Sequence, residues 1–292
     1  MADLISETKR LIFSSEREQV NRLTSTITNS VTSLACDFTL GGITAGSVIA
    51  IDQELMYVWS VSSPNVTVQR GWMGSTAAAH TSGAIISVNP RFSDFAIFQA
   101  LNQELDDLCA PSSGLYQVKT AEITNTISVV GYDLSLTNLI DIIEIHYRSS
   151  TQTKWWTRID LWRIINNANT TDFPSGRALI LQDVVPVNGA VIRITYKSSF
   201  VKATAVTDDV QSVCGLPSTC NDIPPLGAAA KLTALRAVKR GFDDSQGEPR
   251  RASEIPPNAE IEASQAILAL RSKRIAAEVA RLKALYTARM VN

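Results

Sequence analysis

The 292-residue sequence has only two histidines, His80 and His146, and only four cysteines, Cys36, Cys109, Cys214 and Cys220. No Cys-x-x-Cys and no Cys/His cluster occurs, which removes the usual zinc frameworks. Only Cys214 and Cys220 are close in sequence, which leaves four buried thiols or one bridge between those two as the readings. No run approaches the length of apolar chain that spans a bilayer. The first seven residues carry acids and show no signal-peptide pattern, so synthesis and folding in the cytoplasm are expected. Net charge is also missing: the formal value is −1, which argues against a whole-chain nucleic-acid binder. Gly-x-Ser-x-Gly, P-loop, Gly-x-Gly-x-x-Gly and EF-hand patterns are absent as well. Ser75 and Thr76 precede His80 but share its turn, and no nucleophile elbow accompanies them, so a hydrolase triad is not expected there and His80 reads as a hydrogen-bonding residue that fixes the turn. Carboxylate pairs at Glu104/Asp106/Asp107, Asp208/Asp209 and Asp243/Asp244 fall on a helix polar face, a linker and a loop, as solvated acids do. No catalytic residue, cofactor or metal is expected.

What is present is apolar material and pattern. Hydrophobic residues make up 45% and charged residues 19%, enough for a real core. Residues 3–27 show apolar positions at helical spacing (Leu4, Leu11, Val20, Leu23, Ile27), with a candidate break at Phe13–Glu16. Residues 31–90 turn to short Val/Ile/Tyr/Trp runs, Ser47–Ile51, Leu55–Val61, Val66–Gln69 and Ala84–Val88, with a tight reversal at Pro64-Asn65. Residues 92–109 form a helix with a broad apolar stripe, capped by Ser93 or Asp94 and followed by Pro111. A second strand set follows: Tyr116–Ile123, Thr126–Val130, Ile142–Ser149, Lys154–Trp162, Arg177–Leu181 and Ala190–Tyr196, at the spacing of a β-sandwich. Beyond Ser212, Pro224-Pro225 mark a linker. An Ala-rich helix at 226–241 ends at Gly241, a polar loop fills 243–257, and a long helix at 258–289 is capped by Asn258.

The expected fold is therefore α+β. A small antiparallel β unit and a β-sandwich or jelly-roll-like unit carry an N-terminal helix, a central helix and a long C-terminal helical extension. The corresponding segments are 1–30, 31–111, 112–212 and 213–292. On the last helix, Ile261, Leu268, Ile275, Val279, Leu282 and Tyr286 repeat at three- and four-residue spacing, the rhythm of a partner-facing stripe. From Lys231 onward twelve basic residues stand against seven acidic, a net of about +5. Arg271, Lys273 and Arg274 are candidates for phosphate contact, for an acidic partner, or for plain solvation. Trp155, Trp156 and Trp162 are candidates for core or interface packing, or for a sugar platform, although neighbours in a strand face opposite ways.

One stretch carries a resemblance. Val68-Gln69-Arg70-Gly71-Trp72-Met73-Gly74-Ser75-Thr76-Ala77-Ala78-Ala79-His80-Thr81-Ser82-Gly83, with its return strand to Val88, resembles a segment of tailed-bacteriophage virion structural proteins. The preceding Glu54-Leu55-Met56-Tyr57-Val58 is similar too, and Asn89-Pro90-Arg91-Phe92 resembles the continuation in neck or connector proteins. In this reading Arg70, Gly71 and Gly74 make the turns and His80 and Gly83 anchor the return of a rigid hairpin tip. The resemblance implies a non-enzymatic head-to-tail adaptor: a homo-oligomeric ring of about a dozen copies in the virion neck. Such a ring docks on the portal protein, contacts other neck or tail proteins, and passes DNA through its lumen, without a membrane partner. Small adaptors of this kind are mostly helical, so the two β units imply an outward collar or binding platform. The alternatives are a minor tail or baseplate protein, a sugar-binding adhesin module and, as a third, a depolymerase.

Overall fold

The computed structural model describes residues 1–12, 19–38, 42–125, 131–149, 154–182, 188–246 and 259–286, the side chains of 235–246 and 259–260 excepted. The expected strand at 126–130, the cap at Asn258, the break at Phe13–Glu16 and the last three residues of the expected 258–289 helix lie outside them. The chain divides into two compact units. Unit 1 takes Met1–Glu104, Ala203–Asp208 and Asn221–Arg271; unit 2 takes Leu105–Lys202, Asp209–Cys220 and Ser272–Asn292. The fold class is the mixed α+β arrangement that the patterns imply.

Unit 1 contains a six-stranded antiparallel sheet built from β1 (Gln19–Arg22), β2 (Ser33–Ala35), β3 (Val48–Ile51), β4 (Glu54–Ser62), β5 (Asn65–Gln69) and β6 (Ile85–Val88). Its order is β1-β6-β3-β4-β5-β2. The sheet curls until its two outer strands meet beyond their ends. Leu23 bridges Cys36, Thr24 N donates to Ala35 O at 3.0 Å and Asp37 N to Arg22 O at 2.9 Å. Two open edges, each a row of unpaired backbone groups, are thereby blunted. Alternate residues (Leu34, Ile49, Ile51, Met56, Val58, Val66, Val68, Ile86) turn inward to form one core. Each such side chain contributes roughly 1.5–3 kcal/mol by leaving water.

Two sequence expectations fail here. The N-terminal helix α1 (Ala2–Ile12) stops early, and Gln19–Arg22 is a strand. The helical spacing of Val20, Leu23 and Ile27 concealed a two-residue alternation: Asn21 and Leu23 are buried, whereas Val20 is exposed. The threonines at 24, 26 and 28 also favour extended chain. The second failure concerns the stretch from Arg70 to Gly83. It is not a hairpin tip, because β5 and β6 are not neighbours. It is a crossing that leaves β5 on one side of the β3–β4 hairpin and joins β6 on the other.

Helices make up the rest of unit 1. α1 buries Leu4, Ile5 and Thr8 and packs on α3 (Ile223–Gln246), so its amphipathic face is covered by its own chain. Pro224 and Pro225 are no linker; they occupy the first turn of α3, where a missing N–H costs nothing. α3 runs through Gly241 and on to Gln246, past the expected stop and into the segment read as a loop. α2 (Asp94–Leu108) starts at Ser93, whose Oγ accepts from Ala96 N at 3.2 Å. Glu104, expected on a wet face of α2, is fully buried. Lys231 Nζ of α3 lies 3.1 Å from its Oε2, and Arg271 Nε of α4 (Ala259–Leu285) pairs with its Oε1. Burial drives the Glu104 carboxyl above its ordinary value, and the nearby charges of Arg271 and Lys231 offset only part of that.

Unit 2 holds the sandwich. One sheet has the order β10-β9-β13-β7 and the other β11-β12-β8. The strands are β7 (Gln117–Thr124), β8 (Tyr132–Asp133), β9 (Leu139–Arg148), β10 (Thr157–Ile159), β11 (Trp162–Asn166), β12 (Arg177–Leu181) and β13 (Val191–Ser198). The expected single strand Lys154–Trp162 is two, because the chain changes sheets between Ile159 and Trp162. The two sheets share a core of Tyr132, Leu134, Ile142, Ile145, Ile159, Leu179, Ile192, Ile194 and Tyr196. All four cysteines are free thiols, and Cys36, Cys214 and Cys220 are buried. No described helix is long and apolar enough to cross a membrane.

The packing of Gly227 gives a test. A Cβ there would overlap the Glu104 carboxylate. Gly227→Ala should gain about 1 kcal/mol of helix propensity yet lose about 1–3 kcal/mol to overpacking. The expected result is a lower unfolding temperature in calorimetry, against the usual direction of a helical Gly→Ala change.

Candidate functional site

The segment that carries the resemblance is organised around one carboxylate. Glu54 opens β4 directly after the two-residue turn Asp52-Gln53, where Asp52 takes a left-handed φ of 51°. Its side chain is fully buried and points to where the 70–84 crossing passes over the hairpin end. Oε1 accepts from Arg70 Nε at 2.7 Å and Gly71 N at 3.1 Å. Oε2 accepts from Arg70 Nη2 at 2.7 Å and Ala78 N at 3.0 Å. His80 Nε2 lies 2.9 Å from the same Oε2, and His80 Nδ1 lies 3.0 Å from Asp52 Oδ2. Arg70 spends its other donors on the Thr28, Val31 and Ala78 carbonyls, which uses the whole guanidinium fork. Burial alone would raise the Glu54 carboxyl, but donation from Arg70, Ala78, His80 and Gly71 outweighs it and holds the group below its ordinary value.

Arg70, Gly71 and His80 thus act together to fasten a crossing loop to Glu54, not to shape a hairpin tip. His80 also exchanges both backbone hydrogen bonds with Ile27. Gly71 and Gly74 hold φ values of 63° and 83°, and Gly83 one of 84°, conformations that glycine adopts without strain. Met73 between the first two has a φ of 53°, which costs a residue with a side chain roughly 1–2 kcal/mol. Ser75 closes the turn: its Oγ accepts from Leu55 N at 2.9 Å and bonds Trp72 O at 2.9 Å. Glu54 and Leu55 at the start of β4 therefore pin the loop at Gly71, Ser75 and Ala78.

The locked loop presents an apolar surface. Met73 is 73% exposed, and Trp59 on the outer face of β4 is 60% exposed. Tyr57 joins Trp59 to Trp72, the chain neighbour of Met73, with its ring centroid 5.1 Å from that of Trp59 and 4.8 Å from that of Trp72. Sequence reading missed Trp59, Tyr57 and Trp72 as a group. The signal available was the outward alternation of Tyr57 and Trp59 on one strand, and the turn that brings Trp72 beside them was not legible.

The other candidates are divided by the structure. On α4, Ile261 and Leu268 are exposed, as is Leu270, whereas Ile275 and Leu282 are buried and Val279 half-buried. The expected continuous partner stripe is thus broken, because Ile275 and Leu282 are already buried within the chain. Tyr286 is exposed. Arg271 is committed to Glu104 and only 14% exposed. Arg274 donates to Thr219 O at 3.0 Å and lies 3.6 Å from Glu278; Lys273 is exposed. The three therefore do not form one open basic cluster. The guanidinium groups of Arg148 and Arg193 lie 4.7 and 3.9 Å from the centre of the Trp156 ring. Trp162 packs against the sandwich core. Of the three expected platforms, Trp155 alone offers an open ring, at 78% exposure. Among the described residues no group of three His, Cys, Asp or Glu side chains stands ready to hold a metal ion.

Removing the hub carboxylate has a defined consequence. Glu54→Gln leaves the buried Arg70 without its charge partner, and should cost about 3 kcal/mol. Hydrogen exchange should quicken first at the Gly71 and Ala78 amides. Because the folded-state pKa is depressed, the stability that Glu54 contributes is present above the ordinary carboxyl value and is lost as pH falls through the folded one. The acid limb of a stability–pH curve should accordingly be shallower in Glu54→Gln than in the parent. No protein-family model matches this chain, and no curated protein matches its sequence.

Proposed function

We propose that the chain is a structural subunit completed by its neighbours, and that the assembly is the neck of a tailed bacteriophage. There it forms a head-to-tail adaptor ring that docks on the portal and connects capsid to tail. The observation that carries this reading is the Trp59–Tyr57–Trp72–Met73 surface. A soluble surface gains nothing from a methionine held out in a left-handed conformation by a buried ion pair; a partner surface gains a preformed apolar anchor. The exposed Ile261, Leu268 and Leu270 on α4 supply a second, different patch in the same unit. Two unlike patches on one body suit a head-to-tail ring, in which each copy gives one surface and receives the other. The resemblance at Val68–Val88 supplies the phage context. In this reading Lys273 is the one member of the expected basic trio open for contact with DNA passing through the lumen, since Arg271 serves Glu104.

Native mass spectrometry of the purified chain, alone and with the portal ring of the same phage, tests this. A ring-on-ring complex with about a dozen copies is expected from the resemblance. Trp59→Glu with Met73→Glu removes two anchors at about 2 kcal/mol each, weakening association about a thousand-fold, with the circular dichroism of the monomer retained. A parent protein that stays monomeric and leaves the portal ring unoccupied would overturn the proposal.

A further inference from the structure

Unit 2 contains an open cavity of about 750 Å³, within the size range of small-molecule sites. Its walls include Tyr116, Ile140, Val279 and Tyr286, and two lysines, Lys197 and Lys283, reach the same space. Ile140 is 49% exposed, so the apolar wall is wet. The two ammonium groups differ. Lys197 is matched: its Nζ lies 3.3 Å from Asp141 Oδ2 and 5.2 Å from the centre of the Tyr116 ring. Lys283 has no ion pair among the described residues, although it belongs to the last turn of α4. A wholly apolar occupant would strip water from Lys283 without compensation, and a cation would be repelled by both lysines. An anion on an apolar body satisfies both parts of the lining at once.

We infer that this cavity is a binding site for a small carboxylic acid with an aliphatic or aromatic body. The carboxylate pairs with Lys283, and the body lies against Tyr116, Ile140, Val279 and Tyr286. The inference stands on unit 2 alone and is independent of the assembly proposal.

Titration of the full chain with decanoate, below its micelle concentration, tests it by calorimetry and by tyrosine fluorescence. Saturable one-to-one binding is expected. Lys283→Met should weaken it at least tenfold, and Ile140→Asp, which puts a second carboxylate on the exposed wall, should abolish it. Both side chains are exposed, so unchanged thermal melts are the check that each variant is folded. Decyltrimethylammonium, with the same tail and the opposite charge, should not bind. Absent saturation by decanoate, equal affinity in Lys283→Met, or equal binding of the cationic amphiphile would each overturn the inference.

Discussion

The ion pair between Glu54 and Arg70 is the constraint on which unit 1's β structure turns. A small curled sheet can bury one side of each strand, but the chain must still travel from β5 to β6 across the end of the β3–β4 hairpin. A crossing of some fifteen residues has many backbone groups and few apolar side chains to hold it. Glu54 solves this with two oxygens. It gathers amide donors from the start and the middle of the crossing, Gly71 and Ala78, together with the Arg70 guanidinium and the His80 ring. Burying a carboxylate is costly, and only a shell this complete offsets the cost. The arrangement is also specific. A buried charge whose donors come from fixed positions tolerates one path of the loop, where apolar contacts would tolerate several.

Much of this architecture was legible in the sequence, and the failures share a cause. Strands with an alternating inner face, such as Ala84–Val88 and Val66–Gln69, announced themselves because one core decides their periodicity. The helix at 92–109 did so for the same reason. The strand at Gln19–Arg22 did not, since its partner is β6, more than sixty residues later, and its local pattern fits a helix equally well. Pro224-Pro225 look like a break until their position at the very start of α3 is known. The path of the 70–84 crossing was closed to sequence for a related reason: Arg-Gly, Gly and His at those intervals predict turns but not which strands they join. Glu104 shows the limit on the polar side. Its neighbours on α2 read as a wet face, and only Lys231 and Arg271, more than a hundred residues away, make its burial tolerable.

The terminal helices illustrate how tertiary contacts redistribute apolar surface. Read alone, α1 and α4 carry more than one chain can cover. In the fold, α3 covers α1, and Ile275 and Leu282 are buried. On α4 the exposed remainder is Ile261, Leu268 and Leu270 in its first half and Leu285 at its end, and among the described residues of unit 1 the two most exposed large apolar side chains are Met73 and Trp59, on the curled sheet and its crossing loop, where the local pattern offered less warning. The weight of the assembly argument moves with it, from helix amphipathicity to a particular set of rings and one methionine.

That shift matters physically, because the two kinds of surface differ in what association costs them. A helix face with leucine and isoleucine side chains must freeze rotamers when it docks. Tyr57, Trp59 and Trp72 already hold one another edge to face or tilted, and Met73 sits on a loop whose backbone is fixed by Ser75 and Glu54. Ordering entropy is one of the main terms that separates buried area from affinity. A surface that has lost it during folding converts its apolar area into binding more completely. Strain at Met73 acts in the same sense: it is met when the curled sheet folds, and is no larger when a partner covers the side chain. The rigidity that Glu54 confers on an otherwise poorly anchored crossing is therefore what makes the aromatic surface above it suited to recognition.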